Sequence, residues 1–177
     1  TGSGKSTLVN LIPRFFDVTE GSVTINGLDI RDITQDELRC KIGYVPQKSV
    51  LFSGTIDSNI KFGKEDATKE EAEKAATIAQ AMDFINGKEE GFDADISQGG
   101  SNVSGGQKQR LSIARAIVRK PEIYIFDDSF SALDFKTDVV LRRALSKEID
   151  DSIIFIVAQR ISTIMHAEQI IVLDEGK

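Results

Sequence analysis

The spacing of apolar and polar residues predicts alternating helices and strands in the first part of the chain. KSTLVNLIPRFF, residues 5–16, has the pattern of a helix, and GSVTINGLDI, residues 21–30, alternates like two short strands that turn at Asn26 and Gly27. DELRCKIGYVPQ, residues 36–47, predicts a short helix that runs into a strand over residues 42–45.

The middle of the chain is predicted to be helical, and the last third returns to strands and helices. A helical pattern covers residues 55–81, a loop rich in Gly and Asp runs to Asn102, and a long helix covers residues 104–119 before Pro121. The remaining predicted elements are a strand over 123–126, a helix near 139–145, a strand over 153–157, a short helix and a strand over 169–173.

The predicted fold is α/β, because strands that alternate with helices favour a parallel sheet with crossover helices. We expect a mostly parallel sheet, a small antiparallel β portion and an inserted helical subdomain. The α/β core is predicted to comprise residues 1–52 and 117–177, and the helical subdomain about residues 53–116.

Composition narrows the class of protein. Apolar residues make up 40% and charged residues 28%, as in a globular protein. The net charge of -6 and the absence of a basic stripe argue against nucleic acid as a partner. The single Cys40 excludes an internal disulfide. The chain begins at Thr1, without Met, inside a glycine-rich loop, so we expect a fragment.

The opening TGSGKST matches the end of the phosphate loop G-x-x-x-x-G-K-S/T, whose backbone N–H groups converge on phosphate oxygens. Lys5 would reach the β- and γ-phosphates, and the Ser6 hydroxyl would ligate Mg²⁺. The alternative is a flexible Gly/Ser turn, but Lys followed by Ser at these offsets favours a nucleotide. The candidate phosphate-binding residues are Thr1, Gly2, Ser3, Gly4, Lys5, Ser6 and Thr7.

IYIFDD predicts a strand that ends in two carboxylates, Asp127 and Asp128. A carboxylate at the carboxyl end of such a strand can hold Mg²⁺ through water beside the phosphates, which is the role we assign to Asp127. Asp128 could activate water. Alternatively, either acid could cap the following helix. Together with the phosphate loop, this motif indicates a nucleoside triphosphatase core.

NVSGGQKQRLSIARAI places a second glycine-containing helix start in the chain. Its N–H groups and the helix dipole would form an anion site separate from the first. Since one nucleotide does not need two such sites from one chain, the second would serve a nucleotide held by another subunit; an ordinary Ser N-cap is the alternative. The candidate residues are Ser104, Gly105, Gly106 and Gln107.

Six motifs occur in the order TGSGKST, YVPQ, VSGGQ, IYIFDD, SALD and VAQRIST. In this order the chain resembles the nucleotide-binding domain of ABC transporters over essentially its whole length. The resemblance implies ATP and Mg²⁺ as ligands, and a place on the cytoplasmic face of the cell membrane. There the domain would pair with a second nucleotide-binding domain and with transmembrane domains. LFSGTIDSNIKFG is similar to a segment of exporters, which favours an exporter over an importer.

The resemblance also implies roles for single residues. Gln47 in YVPQ resembles the loop glutamine that senses the γ-phosphate and Mg²⁺ and faces the transmembrane coupling helices. Ser104 to Gln107 resemble the signature that closes over ATP bound to the opposite subunit. Asp134 in SALD resembles the loop residue that crosses the dimer interface.

Two departures from the family pattern fall on residues tied to hydrolysis. The family's general base is Glu, where this chain has Asp128, and its switch histidine is replaced by Gln159. Loss of one methylene withdraws the carboxylate by about 1.5 Å, and a misplacement of about 1 Å can cost about a hundredfold in rate. Gln159 can still bind a γ-phosphate but cannot carry imidazolium charge. We therefore expect ATP binding with slow turnover.

An intact signature beside a weakened base and switch predicts a heterodimer, in which this chain resembles the degenerate subunit of bacterial multidrug exporters. A competent homodimer, in which Asp128 suffices, is the first alternative. A regulatory subunit that binds ATP without turnover is the second. A DNA-repair or chromosome ATPase is the third, although only a short helical block separates Gln47 from Ser104.

Overall fold

The computed structural model describes residues 2–149 and 151–176, which form helices α1–α8 and strands β1–β7. The helices are α1 (Lys5–Val9), α2 (Gln35–Cys40), α3 (Ile56–Lys61), α4 (Lys69–Ile78), α5 (Met82–Asn86), α6 (Gly105–Val118), α7 (Phe135–Glu148) and α8 (Ile161–Ile164). The strands are β1 (Thr24–Ile25), β2 (Leu28–Asp29), β3 (Ile42–Val45), β4 (Gly54–Thr55), β5 (Asp95–Ile96), β6 (Ile123–Asp127) and β7 (Ile153–Val157).

The central sheet is parallel and has the order β3, β6, β7. Val45 lies opposite Phe126, and Asp127 lies opposite Val157. Every residue of β6 is buried, as expected for a strand covered on both faces. Parallel strands end at the same edge, so the residues that follow these three strands converge there. The predicted α/β fold with a parallel sheet is confirmed.

Two small antiparallel pairs accompany this sheet. β1 and β2 form the predicted hairpin, and both Asn26 and Gly27 at its turn have positive φ. β4 and β5 form the other pair, in which Gly54 lies opposite Ile96. This second pair was not predicted, because the segment around residues 95–96 has the composition of a loop.

Helices α3, α4 and α6 pack against one another, and α6 also contacts β3. α6 begins after Ser104 and ends before Arg119, as predicted. α4 packs against α6 and buries the small residues Ala72, Ala75 and Ala76. Among the described residues, no helix has the length and apolarity that a membrane span requires.

Several predicted boundaries were wrong. The first helix ends at Val9 rather than at residue 16, because Pro13 cannot continue a helical hydrogen-bond ladder. The helix predicted over residues 55–81 is divided into α3 and α4. Gly63 packs too closely on α6 for any side chain, since a Cβ atom there would lie 2.0 Å from the Arg115 carbonyl oxygen. The predicted loop that runs to Asn102 contains α5.

The strand predicted over residues 169–173 does not form. A strand requires a hydrogen-bonded neighbour, and this segment pairs with none of the described strands. Its apolar residues Ile170, Ile171 and Val172 are therefore exposed. The prediction of a strand from this apolar sequence was therefore wrong for the described structure.

Candidate functional site

The phosphate loop and the end of β6 meet through a hydrogen bond between Ser6 and Asp127. The Ser6 hydroxyl donates to Oδ1 of Asp127 over 2.8 Å, although 121 positions separate the two residues. Gly2 and Gly4 both have φ of 88°, a backbone conformation that turns the loop and that glycine adopts without strain. The structure thus brings two of the three predicted Mg²⁺ ligands into contact, whereas the third, Gln47, donates a hydrogen bond to Asp128.

The rest of the phosphate loop is only partly exposed to solvent. Lys5 donates from Nζ to the Ser3 hydroxyl over 2.7 Å, and Thr7 is exposed on the first turn of α1. Thr1 lies outside the described residues. A phosphate oxygen could take the place of the Ser3 hydroxyl as acceptor for the Lys5 ammonium group.

The residues at this edge suit Mg²⁺ and a nucleotide phosphate. A hydroxyl oxygen and a carboxylate oxygen are the hard ligands that Mg²⁺ prefers, and a metal held by so few protein ligands keeps sites for phosphate and water. Backbone N–H groups of the loop and the Lys5 ammonium supply donors for phosphate oxygens.

Tyr44 is part of this site and was not predicted. Its hydroxyl lies 3.3 Å from Oδ2 of Asp127 and 2.9 Å from Oδ1 of Asn10 on the turn after α1. Burial, together with the Asp127 charge and hydrogen bond, raises the pKa of the Tyr44 phenol to about 12, so the hydroxyl keeps its proton. The feature that could have identified Tyr44 was its position on β3, because the neighbouring strand β6 ends in the predicted carboxylate Asp127.

Asp128 accepts hydrogen bonds from both predicted glutamines. Nε2 of Gln47, in the loop after β3, and Nε2 of Gln159, in the loop after β7, each lie 3.0 Å from Oδ2 of Asp128. The Asp128 backbone has φ of 48°, and its N–H donates to the Val157 carbonyl. The three residues predicted to be catalytic therefore form one cluster.

This cluster opens into a cleft of about 260 Å³, lined in part by Asp128, Ser131, Gln159 and Arg160. The two amide groups occupy one of the two oxygens of the Asp128 carboxylate. A general base must accept a proton from water, so Asp128 can act only through its other oxygen or after an amide leaves.

The second predicted anion site forms a capped helix start apart from the first. The Ser104 hydroxyl accepts from the Gln107 N–H over 3.2 Å, and Oε1 of Gln107 accepts from the Ser104 N–H over 2.9 Å. Gly105 has open space beside it, and a Cβ on Gly106 would lie 3.3 Å from the Ala132 carbonyl oxygen. Within the part of the chain that the structure describes, no hydrogen bond joins these residues to the Ser6–Asp127 pair.

Asp134 caps α7 and is exposed. It accepts from the Thr137 N–H over 2.9 Å and from the Thr137 hydroxyl over 2.6 Å. These hydrogen bonds lower the pKa of the Asp134 carboxyl. The cap also explains why α7 starts at Phe135, earlier than predicted.

Gln109, which was also not predicted, connects α6 with the Gln47 loop. This side chain is 2% exposed. It donates to the Pro46 carbonyl over 3.3 Å and accepts from the Ser49 hydroxyl over 2.7 Å. The signature helix and the loop that carries Gln47 are thus held together by one buried amide.

An exposed aromatic pair lies near the same loop. The Phe52 and Phe62 rings are 44% and 61% exposed, with centroids 4.5 Å apart. The Arg115 guanidinium lies over both rings and donates to the Val50 carbonyl. Burial lowers the pKa of Arg115 to about 10.

Comparisons with known proteins agree with this geometry. The profile of a family described as ABC transporter matches residues 1–131. The chain is 46% identical over 177 residues to the ATP-dependent lipid A-core flippase of Desulfotalea psychrophila, covering 100% of the chain and 31% of that protein. It is 47% identical over 176 residues to a Staphylococcus aureus protein named for multidrug export, covering 99% of the chain and 30% of that protein.

A solved structure extends the similarity to three dimensions. A bacterial Atm1-family ABC exporter with ATP bound superimposes with a TM-score of 0.95 at 40% sequence identity. The match covers 99% of this chain and 31% of that chain. The chain therefore spans about a third of the length of the proteins that it matches.

Proposed function

The chain belongs to the ABC transporter family, as the ATP-binding domain of an exporter, and from this we propose that it binds ATP with Mg²⁺ and powers transmembrane transport. The Ser6–Asp127 hydrogen bond carries the proposal, because it joins the phosphate loop to the acid that follows the central strand. By resemblance to the family, Ser6 and Asp127 are residues that hold the metal.

Each residue of the site has a role in this proposal. Lys5 and the loop N–H groups from Gly2 to Thr7 bind the phosphates, with Thr1 before them. Ser6, Gln47 and Asp127 hold the Mg²⁺ shell. Bound Mg²⁺ supplies positive charge to the phosphate oxygens. Gln159 reaches the γ-phosphate, and Asp128 orients and deprotonates water.

We further propose that this chain's own site hydrolyses ATP slowly. Oδ2 of Asp128 accepts hydrogen bonds from both Gln47 and Gln159. These bonds hold the short side chain in place and leave only its other oxygen free to accept a proton from water. Gln159 offers no imidazolium to a transition state that spreads charge over the γ-phosphate oxygens.

The proposed partner is a second nucleotide-binding domain, and a heterodimer accounts best for the sequence. Ser104 to Gln107 form a capped helix start whose first two residues are exposed, which suits a nucleotide held by the partner. Asp134 would face the same interface. A partner that carries Glu and His at the two altered positions would then form the productive site with this chain's signature.

Transmembrane domains are the second proposed partner, which places this chain at the cytoplasmic face of the membrane. The exposed Phe52 and Phe62 rings offer an apolar surface near the Gln47 loop. The matched exporter chains extend well beyond the part that this chain covers. The end of a helix from the proposed transmembrane domains would bury the two rings.

ATP turnover by the full-length protein tests the proposal, measured alone and with a candidate partner half-transporter. The Asp128→Glu, Gln159→His double variant is measured beside it, and Lys5→Ala serves as the binding-defective control. Slow turnover alone, with recovery by the partner or by the double variant, is the expected result. Brisk turnover by the unpaired protein would instead establish a competent homodimer.

A further inference from the structure

Tyr44 bridges two parts of the phosphate and metal site that are far apart in sequence. Its hydroxyl lies 2.9 Å from Oδ1 of Asn10, on the turn after α1, and 3.3 Å from Oδ2 of Asp127, at the end of β6. α1 starts from the phosphate loop, so the phenol links the helix that positions that loop to the acid that faces it.

The two oxygens of Asp127 have different partners. Oδ1 accepts the Ser6 hydroxyl over 2.8 Å, whereas Oδ2 faces the Tyr44 hydroxyl. A carboxylate can rotate about its Cβ–Cγ bond, and this terminal torsion is broad when nothing holds it. The Tyr44 phenol has one proton, which it can donate either to Oδ1 of Asn10 or to Oδ2 of Asp127. When Asp127 accepts it, this donor on Oδ2 determines which way Oδ1 points.

The position of the Tyr44 hydroxyl is itself fixed by packing. The Phe15 ring meets the Tyr44 ring edge-on, with centroids 5.4 Å apart and an interplanar angle of 76°. Phe15 in turn donates its N–H to the Asn10 carbonyl over 3.1 Å, and the Arg39 guanidinium covers its ring. One turn of chain thus holds both the ring and the Asn10 acceptor of the phenol.

We propose that Tyr44 is a positioning residue for the Mg²⁺ that accompanies ATP, because it holds Oδ2 of Asp127 and leaves Oδ1, with Ser6, toward the metal. The proposal rests on the function proposed above and adds a residue that none of the six motifs assigns to metal binding. Tyr44 does not touch the metal and acts through Asp127. Its effect must therefore appear in Mg²⁺ dependence rather than in nucleotide binding as such.

The test is the binding of a fluorescent ATP analogue to the full-length protein, titrated with Mg²⁺ and repeated in EDTA. Tyr44→Phe removes the hydroxyl and keeps the ring that packs on Phe15. Tyr124→Phe is the matched control, since Tyr124 is 2% exposed on β6 and makes no side-chain hydrogen bond with the residues that the structure describes.

We expect Tyr44→Phe to raise the Mg²⁺ concentration for half-maximal binding about tenfold, at the lower end of typical effects of partners that orient metal ligands. Affinity in EDTA stays at the wild-type value, and Tyr124→Phe matches wild type in both conditions. A wild-type Mg²⁺ titration for Tyr44→Phe, or an equal loss with and without Mg²⁺, would overturn the positioning role. Failure of the wild-type protein to bind the analogue at any Mg²⁺ concentration would overturn the proposed function itself.

Discussion

Nε2 of Gln159, after β7, lies 3.0 Å from Oδ2 of Asp128, after β6. The Gln47 amide reaches the same oxygen from the loop after β3 over the same distance. The residues that follow all three strands of the parallel sheet thus converge on one carboxylate oxygen. An acid at this position can deprotonate water only with the oxygen that remains, and this is the structural argument for the slow turnover that we propose.

Asp128→Asn is expected to lower the residual ATP turnover at least about tenfold, because an amide has no basic oxygen and a positioned general base contributes about 10²–10⁴-fold. ATP affinity should change by less than about twofold, since Ser6, Asp127 and the loop remain. Phosphate release and nucleotide binding measure the two effects separately.

Asp32→Asn, at an exposed carboxylate in the loop after the β1–β2 hairpin, is the control for a change of charge alone. Turnover that survives Asp128→Asn unchanged would show that Asp128 is not the base. The residual hydrolysis would then use another group as the base.

The convergence at the sheet edge could be predicted from the sequence, because each motif follows a recognisable strand. β3, β6 and β7 have clear apolar runs, and parallel strands bring their carboxyl ends together. Position along the chain therefore implied that Gln47, Asp128 and Gln159 would be neighbours.

Other features depend on packing that spacing does not encode. Tyr44 resembles any half-buried strand residue until its hydroxyl is placed beside Asp127. Gln109 lies on a polar stretch of α6, yet it is buried because the Gln47 loop folds over it. The predicted helix is interrupted at Gly63, where the chain packs against the Arg115 carbonyl of α6. Each depends on a contact distant in sequence.

Substitutions at Ser104 separate helix capping from a role in the partner's site. Ser104→Ala should destabilise the protein by about 1 kcal/mol, whereas Ser104→Gly should cost only a few tenths, because Gly has no Cβ and leaves the Gln107 N–H open to water. Both remove the hydroxyl. Chemical denaturation measures the loss of stability from the cap. ATP turnover by the assembled pair measures the role of Ser104 in the partner's site.

Equal loss of partner-dependent turnover in the two Ser104 variants would indicate a role for the hydroxyl toward the partner's nucleotide. A loss that instead follows stability, large for Ala and small for Gly, would contradict that role. Ser104 would then act only as a helix cap.

Gln109→Leu should destabilise the protein by about 1–3 kcal/mol, because it leaves the Pro46 carbonyl and the Ser49 hydroxyl without their buried partner. Denaturant midpoints measure this cost. Gln35→Leu, at the exposed start of α2, is the comparison for loss of an exposed glutamine. A Gln109→Leu protein as stable as wild type would mean that water replaces the amide and that the two elements are not joined by it.

Glu71 provides a prediction for pH. Its carboxylate accepts from the ammonium groups of Lys64 over 2.8 Å and Lys120 over 2.9 Å, and from the Thr68 N–H. The Lys64 hydrogen bond is the largest cause, followed by that from Lys120, and together they lower the pKa of Glu71 from 4.5 to about 2. Lys120 follows α6 and Lys64 precedes α4, so this carboxylate ties the ends of two helices together.

Because the folded-state pKa of Glu71 is lower than its ordinary value, its contribution to stability is complete above about pH 5 and is lost as the pH falls toward 2. Glu71→Gln should therefore lower the denaturant midpoint at pH 7, and the difference from wild type should shrink between about pH 5 and pH 3. Glu89→Gln, at an exposed acid that forms no ion pair within residues 2–149 and 151–176, should leave the midpoint unchanged at both pH values. A difference between Glu71→Gln and wild type that stays constant down to pH 3 would show that the two lysines stabilise the fold without their charge pairing to Glu71.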